Sequence, residues 1–570
     1  MGGWTNLVPA LGQAREYRRE WLGKDLTAGL VITGLLAPAG MAYAAAAGLP
    51  PVTGLYATIV PLLVYALIGP SRIMVMGPDS SLTPLIVATI VPLAAANSSE
   101  AVALAGALAV MAGLICIAAG MARFGFIAEL LSAPVRYGYL SGIAVTIMVT
   151  QAAKLCGFSV KSESLFSQLG QFIDGVNDGR LNWWAFGLGL GSVALIVVLR
   201  SFSTAIPATL IVVVASIGFA LALGLDARNV PLVGDLPRGL PSPSLPNVDW
   251  ATTRSLLGAA LGVAFVAFAD TSVLSRTMAM RRHEVVDTNH ELVALGVANV
   301  ASGFFHGFPI SASNSRTPVA EVVGSRTQLT GVVAALALLA IAMAVPNTFR
   351  YLPEAALAAI VIAAAVTLID LPALHRLYRD RRSEFALAIA AWLAVALLGP
   401  VSGVVVAVAL SVLNFMRLVW KPHTAELVRV DGLKGYHDRA RHPEGRVVPG
   451  LLLYRFDAPL FFANARFFSE DLRRRVLAQD QPVVCLIITA EPISDIDTTA
   501  AAVVRELAED LAEQGIELRF CELKGSVRDR LERYSAFKER APDLSARTTG
   551  QAVKQYLLDH PNEWVDWEDR

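Results

Sequence analysis

Four cysteines in 570 residues, Cys116, Cys156, Cys485 and Cys521, are too few and too scattered for a disulfide framework or a metal-ligand cluster. Charge is scarce too. Only 16% of residues are charged, and 47 basic residues cancel 47 acidic ones, so no overall basic character argues for nucleic acid as a partner. No Gly-rich phosphate loop, catalytic triad or metal-ligand cluster is present, so neither an enzyme nor a cofactor nor a bound metal is expected. What fills the chain instead is apolar: 55% hydrophobic residues and a mean hydropathy of +0.54. That is too apolar for a soluble protein of this size and predicts a polytopic α-helical membrane protein. Arg15, Arg18, Arg19 and Lys24 precede the first long apolar stretch without the plan of a cleaved signal peptide. That stretch is expected to stay as a transmembrane helix.

A membrane span needs about 20 apolar residues. On that measure, candidate segments lie at 26–47, 53–69, 73–96, 101–122, 126–157, 182–200 and 204–224, and again at 254–278, 289–306, 309–322, 327–346, 353–370, 384–399 and 401–420. The sum is seven plus seven. An odd number of spans per half turns the second half upside down, the inverted-repeat plan of many secondary transporters. With a cytoplasmic N-terminus, Arg72, Arg123, Arg200, Arg276, Arg281, Arg282, Arg326 and the cluster Arg376, Arg379, Arg381 and Arg382 fall on inside loops, as the positive-inside rule requires. The segments 158–181 and 225–251 then read as extracellular connections, and both termini as cytoplasmic, with the protein in the cell's inner (plasma) membrane.

Two polar, Pro-led interruptions break apolar runs at corresponding places: GPDSSLTP at 77–84 and FPISASNSRT at 308–317. Pro78 and Pro309 lie 231 residues apart (309 − 78), and the same offset carries Ala39 onto Asp270. Half-helices that begin inside a bilayer offer unpaired backbone N–H groups to an anion. Proline suits the first turn of such a helix, where its missing N–H has no partner to lose, so Pro78 and Pro309 are expected there.

After Trp420 the composition changes. Strand-like runs (VVPGLLLYRF, PVVCLIITA, IELRFCEL) alternate with amphipathic helices starting near 464 and 497. The domain reading is therefore a cytoplasmic N-terminal segment at 1–25, a transmembrane transport domain at 26–420 (repeats about 26–224 and 254–420), a linker at 421–446 and a small α/β domain at 447–560.

The chain resembles the SulP (sulfate permease) anion transporters, the group of prestin and pendrin, with a C-terminal STAS domain. Four stretches carry the likeness in the membrane part: PPVTGLYATIVPLLVYALIGPSR at 50–72, the Gly-Pro at 77–78, NHELVALGVAN at 289–299 and SRT at 315–317. In the soluble part, FDAPLFFANA at 456–465 and DIDTTA at 495–500 look like the STAS pattern. The resemblance implies a homodimer in which each subunit has a core and a gate domain. The anion would sit between the starts of the third and tenth segments, beside the first and eighth. Carried over residue by residue, the site comprises Tyr43, Gly77, Pro78, Asp79, Asn314, Ser315 and Arg316, with Asp270 on the eighth segment. Two departures stand out: Ala39 where several animal relatives have Gln, and Asp79 where they have an aromatic or small residue.

The residues support an oxyanion. Ser80, Ser313 and Ser315 add hydroxyl donors to the two helix starts, and Arg316 adds a fixed positive charge. Asp79 opposes this, because a carboxylate there occupies the positive potential that the substrate needs; it must be paired, protonated or turned away. Asp79 or Asp270 is the candidate for taking up a proton, or facing a sodium ion, as the anion binds. An acid at the bilayer centre costs roughly 2.5–3.5 kcal/mol on insertion scales, so its presence calls for a partner or a role. In soluble STAS relatives a Ser or Thr near the DIDTTA position is phosphorylated, and Thr499 matches it best; the alternative is that Thr498 and Thr499 only cap a helix. The expected function is secondary active transport of an inorganic anion, sulfate first, with bicarbonate or a C4-dicarboxylate as alternatives. A different reading makes the protein a membrane-bound scaffold or sensor, reading a cytoplasmic partner through its STAS domain.

Overall fold

Small residues decide how tightly the first helices pack. Helix α1 (Leu22–Ala46) meets α2 (Pro51–Ile68) at Gly40 and Gly54, where a Cβ on Gly54 would stand 1.9 Å from the Gly40 carbonyl oxygen. The computed structural model describes residues 9–94, 98–126, 131–160, 165–202, 207–234, 237, 239–344, 346–534, 543–546 and 548–569. It contains two compact units, Met1–Val412 and Leu413–Arg570.

In the first unit the chain continues through strand β1 (Met76–Gly77), the short helix α3 (Thr83–Ile90), α4 (Ser98–Met121), α5 (Ala133–Leu155), α6 (Trp183–Phe202) and α7 (Ala208–Leu223). The second half repeats the order: α8 (Trp250–Arg282), α9 (Thr288–Phe304), β2 (Ser311–Ala312), α10 (Arg316–Val323), α11 (Leu329–Ala344), α12 (Glu354–Ala365) and α13 (Arg382–Trp420). Helix α13 bends at Gly399, whose φ of 82° precedes Pro400, so it carries both the thirteenth and the fourteenth segments. Seven helices among the described residues are long and apolar enough to cross a membrane unaided. The halves are seamed by α4 and α9. Gly106, Gly113 and Gly120, seven apart, oppose Gly303, Gly296 and Asn289, and a Cβ on Gly113 would lie 2.5 Å from the Gly296 carbonyl. Such backbone contact replaces the hydrophobic drive that a lipid solvent cannot supply.

The third and tenth segments differ from continuous spans. Each is a two-residue strand followed by an eight-residue helix, and β1 pairs antiparallel with β2 (Met76 with Ala312, Gly77 with Ser311). Extended backbone at this depth is tolerated only where protein satisfies it. Here side chains do so: the Gln328 amide donates to the Ser71 and Met74 carbonyls (2.8 and 3.0 Å), and Asn299 brackets Ile310 with bonds of 2.8 and 3.1 Å. Thr317 and Thr271 hydroxyls accept the N–H groups of Val75 and Ala312, each at 3.1 Å.

Pro78 and Pro309 are not in the first turns of these helices, against expectation. They sit in the extended approach, and Pro84 and Pro318 lie near the helix starts instead. The matching dipeptides are Thr83-Pro84 and Thr317-Pro318, 234 apart (317 − 83), so the offset of 231 misaligned the halves by three residues. Two segments read as connections contain amphipathic helices, Leu165–Asn177 and Leu371–Asp380, whose single apolar faces are lost in a hydropathy average. Residues 127–130, inside the fifth predicted run, and 203–206, at the start of the seventh, lie outside the described residues, as do 1–8 of the N-terminal segment.

The second unit contains a six-stranded sheet in the order β4-β3-β5-β6-β7-β8, with β3 (Thr424–Arg429), β4 (Tyr436–Asp438), β5 (Leu451–Phe456), β6 (Cys485–Thr489), β7 (Glu517–Cys521) and β8 (Asp543–Ala546). Strands β5 to β8 are parallel, linked through helices α14 (Ala465–Leu477), α15 (Thr498–Glu513) and α16 (Gly525–Arg533), and α17 (Thr549–Asp559) follows β8. Phe456, Phe468, Ile488 and Leu507 are fully buried in one core beside the sheet. The stretch 421–446, read as a linker, supplies β3 and β4. Its alternation is short and interrupted by charge, and one of those charges, Arg429, is itself buried against Asp566 at 2.9 Å.

Candidate functional site at the paired half-helices

The approach to each half-helix is a turn built by small polar residues. Asp79 Oδ2 accepts the N–H and hydroxyl of Ser81 (3.3 and 3.1 Å), and the Asp79 carbonyl accepts the Thr83 hydroxyl at 3.0 Å. Before α10, Ser313 Oγ accepts the Arg316 N–H at 3.3 Å and lies 3.3 Å from the Ser315 hydroxyl. Arg316 then leaves its own helix. Its guanidinium donates to the Pro78 carbonyl and stands 3.8 Å from Asp79 Oδ1, with both side chains almost fully buried. Asp79 is therefore paired rather than turned away. Among the described residues, Nη1 of Arg316 keeps no hydrogen-bond partner.

Two cavities of opposite character flank this pair. One, of about 210 Å³, is lined by Tyr43, Arg200, Thr209, Ser315 and Arg316 among apolar groups that include Ala39; its only charged residues, among those described, are the two arginines. The Thr209 hydroxyl there is buried without a partner among the described residues, as is Arg316 Nη1, so unpaired donors gather on this side. The other, of about 420 Å³, is lined by Asp79, Ser80, Asn314, Ser315 and Asp270, together with Arg136 and Asp370. Three carboxylates against one guanidinium leave it acidic. Among the described residues, Asp270 Oδ2 has no hydrogen-bond partner. Buried ionised groups need compensation, and a basic pocket beside an acidic one provides places for an anion and a proton or cation respectively.

The structure thus divides the predicted set. Tyr43 and Arg316 face the basic cavity, Asp79, Ser80, Asn314 and Asp270 the acidic one, and Ser315 lines both. Gly77, Pro78 and Ser313 line neither cavity: Gly77 belongs to β1, the Pro78 carbonyl accepts from Arg316, and Ser313 is committed to the turn. Sequence reasoning missed Arg136 and Thr209, and took Arg200 for a loop charge. It also passed over two buried acids. Asp25 accepts the N–H groups of Arg326 and Thr327 (2.7 and 3.2 Å) and hydroxyls of Thr327 and Thr330. Glu291 accepts the hydroxyls of Tyr65, Ser71 and Ser275, tying α2, α8 and α9 together. A carboxylate within an apolar helix was the available signal for Glu291.

The chain matches the sequence profile described as the Sulfate permease family over residues 22–391, and that of the STAS domain over 442–548. It belongs to the sulfate permease family. A relative from Mycobacterium tuberculosis, described as a "Probable sulfate transporter", is 40% identical over 97% of this chain and 98% of its own length. Human solute carrier family 26 member 6 is 32% identical, covering 80% of this chain and 63% of that one. Among solved structures, SLC26A9 superposes with a TM-score of 0.90 at 22% identity, over 98% of this chain and 93% of that one. The transmembrane domain of the cyanobacterial bicarbonate transporter BicA gives 0.62 at 24% identity, over 70% and 98%. The protein is accordingly a multi-pass membrane transporter of anions with a STAS domain, and its family is one of transporters, not enzymes.

In the STAS domain, α15 is capped by Asp497, whose Oδ1 accepts the Ala500 N–H at 2.7 Å, so the capping role considered for Thr498 and Thr499 falls to the aspartate. Both threonines lie in the first turn and both are exposed. On α14, burial alone would push the Asp471 carboxyl up. Arg475, Thr424 and Tyr454, bonded at 2.9, 3.0 and 3.0 Å, outweigh burial and hold it below the ordinary aspartate value of 3.8.

Proposed function

We propose that the protein is a secondary active transporter of sulfate, moved by alternating access and coupled to a proton. The observation that carries this reading is the buried Arg316 guanidinium, fixed by the Pro78 carbonyl and the Asp79 carboxylate, with Nη1 left unpaired beside a cavity whose charges, among the described residues, are positive alone. Arginine's planar fork suits a tetrahedral oxyanion, and the M. tuberculosis relative described as a probable sulfate transporter supports sulfate over other anions. Asp270, with one carboxylate oxygen unpaired in the acidic cavity, is the group that takes the proton, and a sodium ion facing the same carboxylates is the alternative. Tyr43, Ser315 and Arg316 bind the anion, with Gly77, Pro78, Asp79, Ser80, Ser313 and Asn314 shaping the site. The positive-inside pattern supports cytoplasmic termini in the inner (plasma) membrane; the family resemblance supports a homodimer, and the exposed Thr499 offers a regulatory or partner-binding point.

The test is uptake into proteoliposomes of labelled sulfate, bicarbonate, fumarate and chloride under imposed proton and sodium gradients. Sulfate uptake driven by an inward proton gradient is expected. Uptake of bicarbonate alone moves the substrate, sodium dependence replaces the coupling ion, and failure of all four anions overturns the reading in favour of a non-transporting STAS scaffold.

A further inference from the structure

Helix α5 carries one cation near each end. Arg136, in its first turn, lines the acidic cavity, while Lys154 lies 18 residues on (154 − 136), about 27 Å away at 1.5 Å per residue. That distance approaches the roughly 30 Å of a bilayer's hydrocarbon core, so Lys154 serves the opposite mouth of the protein. It lines a third cavity, of about 460 Å³, that reaches Thr83 and Pro84 at the start of α3. The half-helix start is thus approached from both sides: through Asp79 and Ser80 on one, through Thr83 and Pro84 on the other.

Within this cavity Thr146, Thr150 and Lys154 stand four residues apart, in one row along α5. The threonine hydroxyls donate to their own helix, to the Gly142 and Ile147 carbonyls at 3.0 and 2.9 Å. Charge therefore has to come from Lys154. Its ammonium donates to the Ala45 carbonyl at the end of α1, and among the described residues no carboxylate pairs with it. Glu354, the other charged residue lining the cavity, attracts the ammonium electrostatically but, among the described residues, not at ion-pair distance, so an anion here competes with that carboxylate for Lys154. An ammonium has three donors, and a single carbonyl leaves two for another acceptor.

We propose that this cavity is a second anion station, in which Lys154 takes a small inorganic oxyanion at the mouth opposite Arg136 and passes it along the row toward α3. The proposal rests on the anion-transport reading. Its test uses the full chain in cells, with Thr150→Cys introduced beside a Cys156→Ser change that removes the neighbouring native thiol. Thiol labelling is followed with a negatively and a positively charged methanethiosulfonate of similar size. The anionic reagent is expected to react about tenfold faster with Lys154 present than in the Lys154→Gln variant, with Lys154→Arg retaining the rate and millimolar sulfate slowing it. For uptake, Lys154→Gln should raise the half-saturating sulfate concentration about tenfold and leave the maximal rate little changed. Equal rates for both reagents, indifferent to Lys154 and to sulfate, in a protein that still transports, would overturn the station and leave the transport reading standing. Sulfate protection of the introduced thiol in a protein that carries no anion would keep the station and remove the transport reading.

Discussion

Helices α3 and α10 are each eight residues long, follow a two-residue strand and carry Thr-Pro near their start, yet their approaches have opposite chemistry. At the offset of 234, Asp79 stands where the second half has Ser313, and Leu82 where it has Arg316. The two halves share this backbone plan and differ in the side chains it carries. The two charges do not oppose each other across an anion; they meet at 3.8 Å, and the space around them sorts into a basic and an acidic cavity. In this pair one half supplies the acid and the other the base, whereas the cavities mix the halves: Arg200 joins Arg316 in the basic one, and Asp270 and Asp370 join Asp79 in the acidic one.

The comparison breaks most visibly at Arg316. Arg316→Gln leaves Asp79 buried without its partner, a loss of about 3–5 kcal/mol, and should reduce sulfate uptake at least about 100-fold. The double variant Arg316→Gln, Asp79→Asn should recover thermal stability but not uptake; full transport by the double variant would reduce the pair to a structural role. Asp270→Asn probes the acidic side alone. Sulfate binding should persist, uptake should fall about tenfold under a proton gradient, and the dependence of rate on pH should vanish; an unchanged pH profile removes Asp270 from the coupling. The clamps on the two strands sharpen the contrast further. Gln328→Ala removes two backbone-directed hydrogen bonds and Asn299→Ala three, one of them to the Leu295 carbonyl of its own helix, at roughly 1 kcal/mol each, so both should lower the melting temperature, while Asn299→Ala, which frees the strand leading to Arg316, should weaken anion affinity more. Equal affinities would mean that both strands position the site equally.

The smallest effect is expected in the STAS domain. The Asp471 carboxyl is depressed in the folded state, so its stabilisation is present above the ordinary value of 3.8 and is lost as pH falls through the lower, folded value. Asp471→Asn should lower the STAS melting temperature at pH 7 and flatten its decline in acid, while sulfate uptake stays at the parental rate. Altered uptake in this variant would show that STAS stability feeds back on transport.

The broken helices were legible because Pro, Ser and Asp interrupt runs that are otherwise apolar. Their alignment was not, since Pro78 and Pro309 look equivalent in sequence while only Thr83-Pro84 and Thr317-Pro318 begin corresponding helices. The Arg316–Asp79 contact joins positions 237 apart (316 − 79), and nothing in local periodicity signals it. Arg136 and Arg200 lie near helix ends, where a charge reads as loop chemistry until the fold turns it toward a cavity. In the STAS domain, the antiparallel strands β3 and β4 hid behind their charges and the parallel β8 behind its short polar DLSA, whereas β5, β6 and β7 announced themselves as apolar runs. The site residues taken from the family pattern came together around the half-helices; their division between two cavities needed coordinates.

The reach of Arg316 across to the Pro78 carbonyl also bears on how far the chain can be divided. Neither half contains the complete pair, because the base of one is seated on the backbone of the other and beside its carboxylate. Separated, each fragment would hold a buried charge without its counter-ion, so the two would depend on one another to fold.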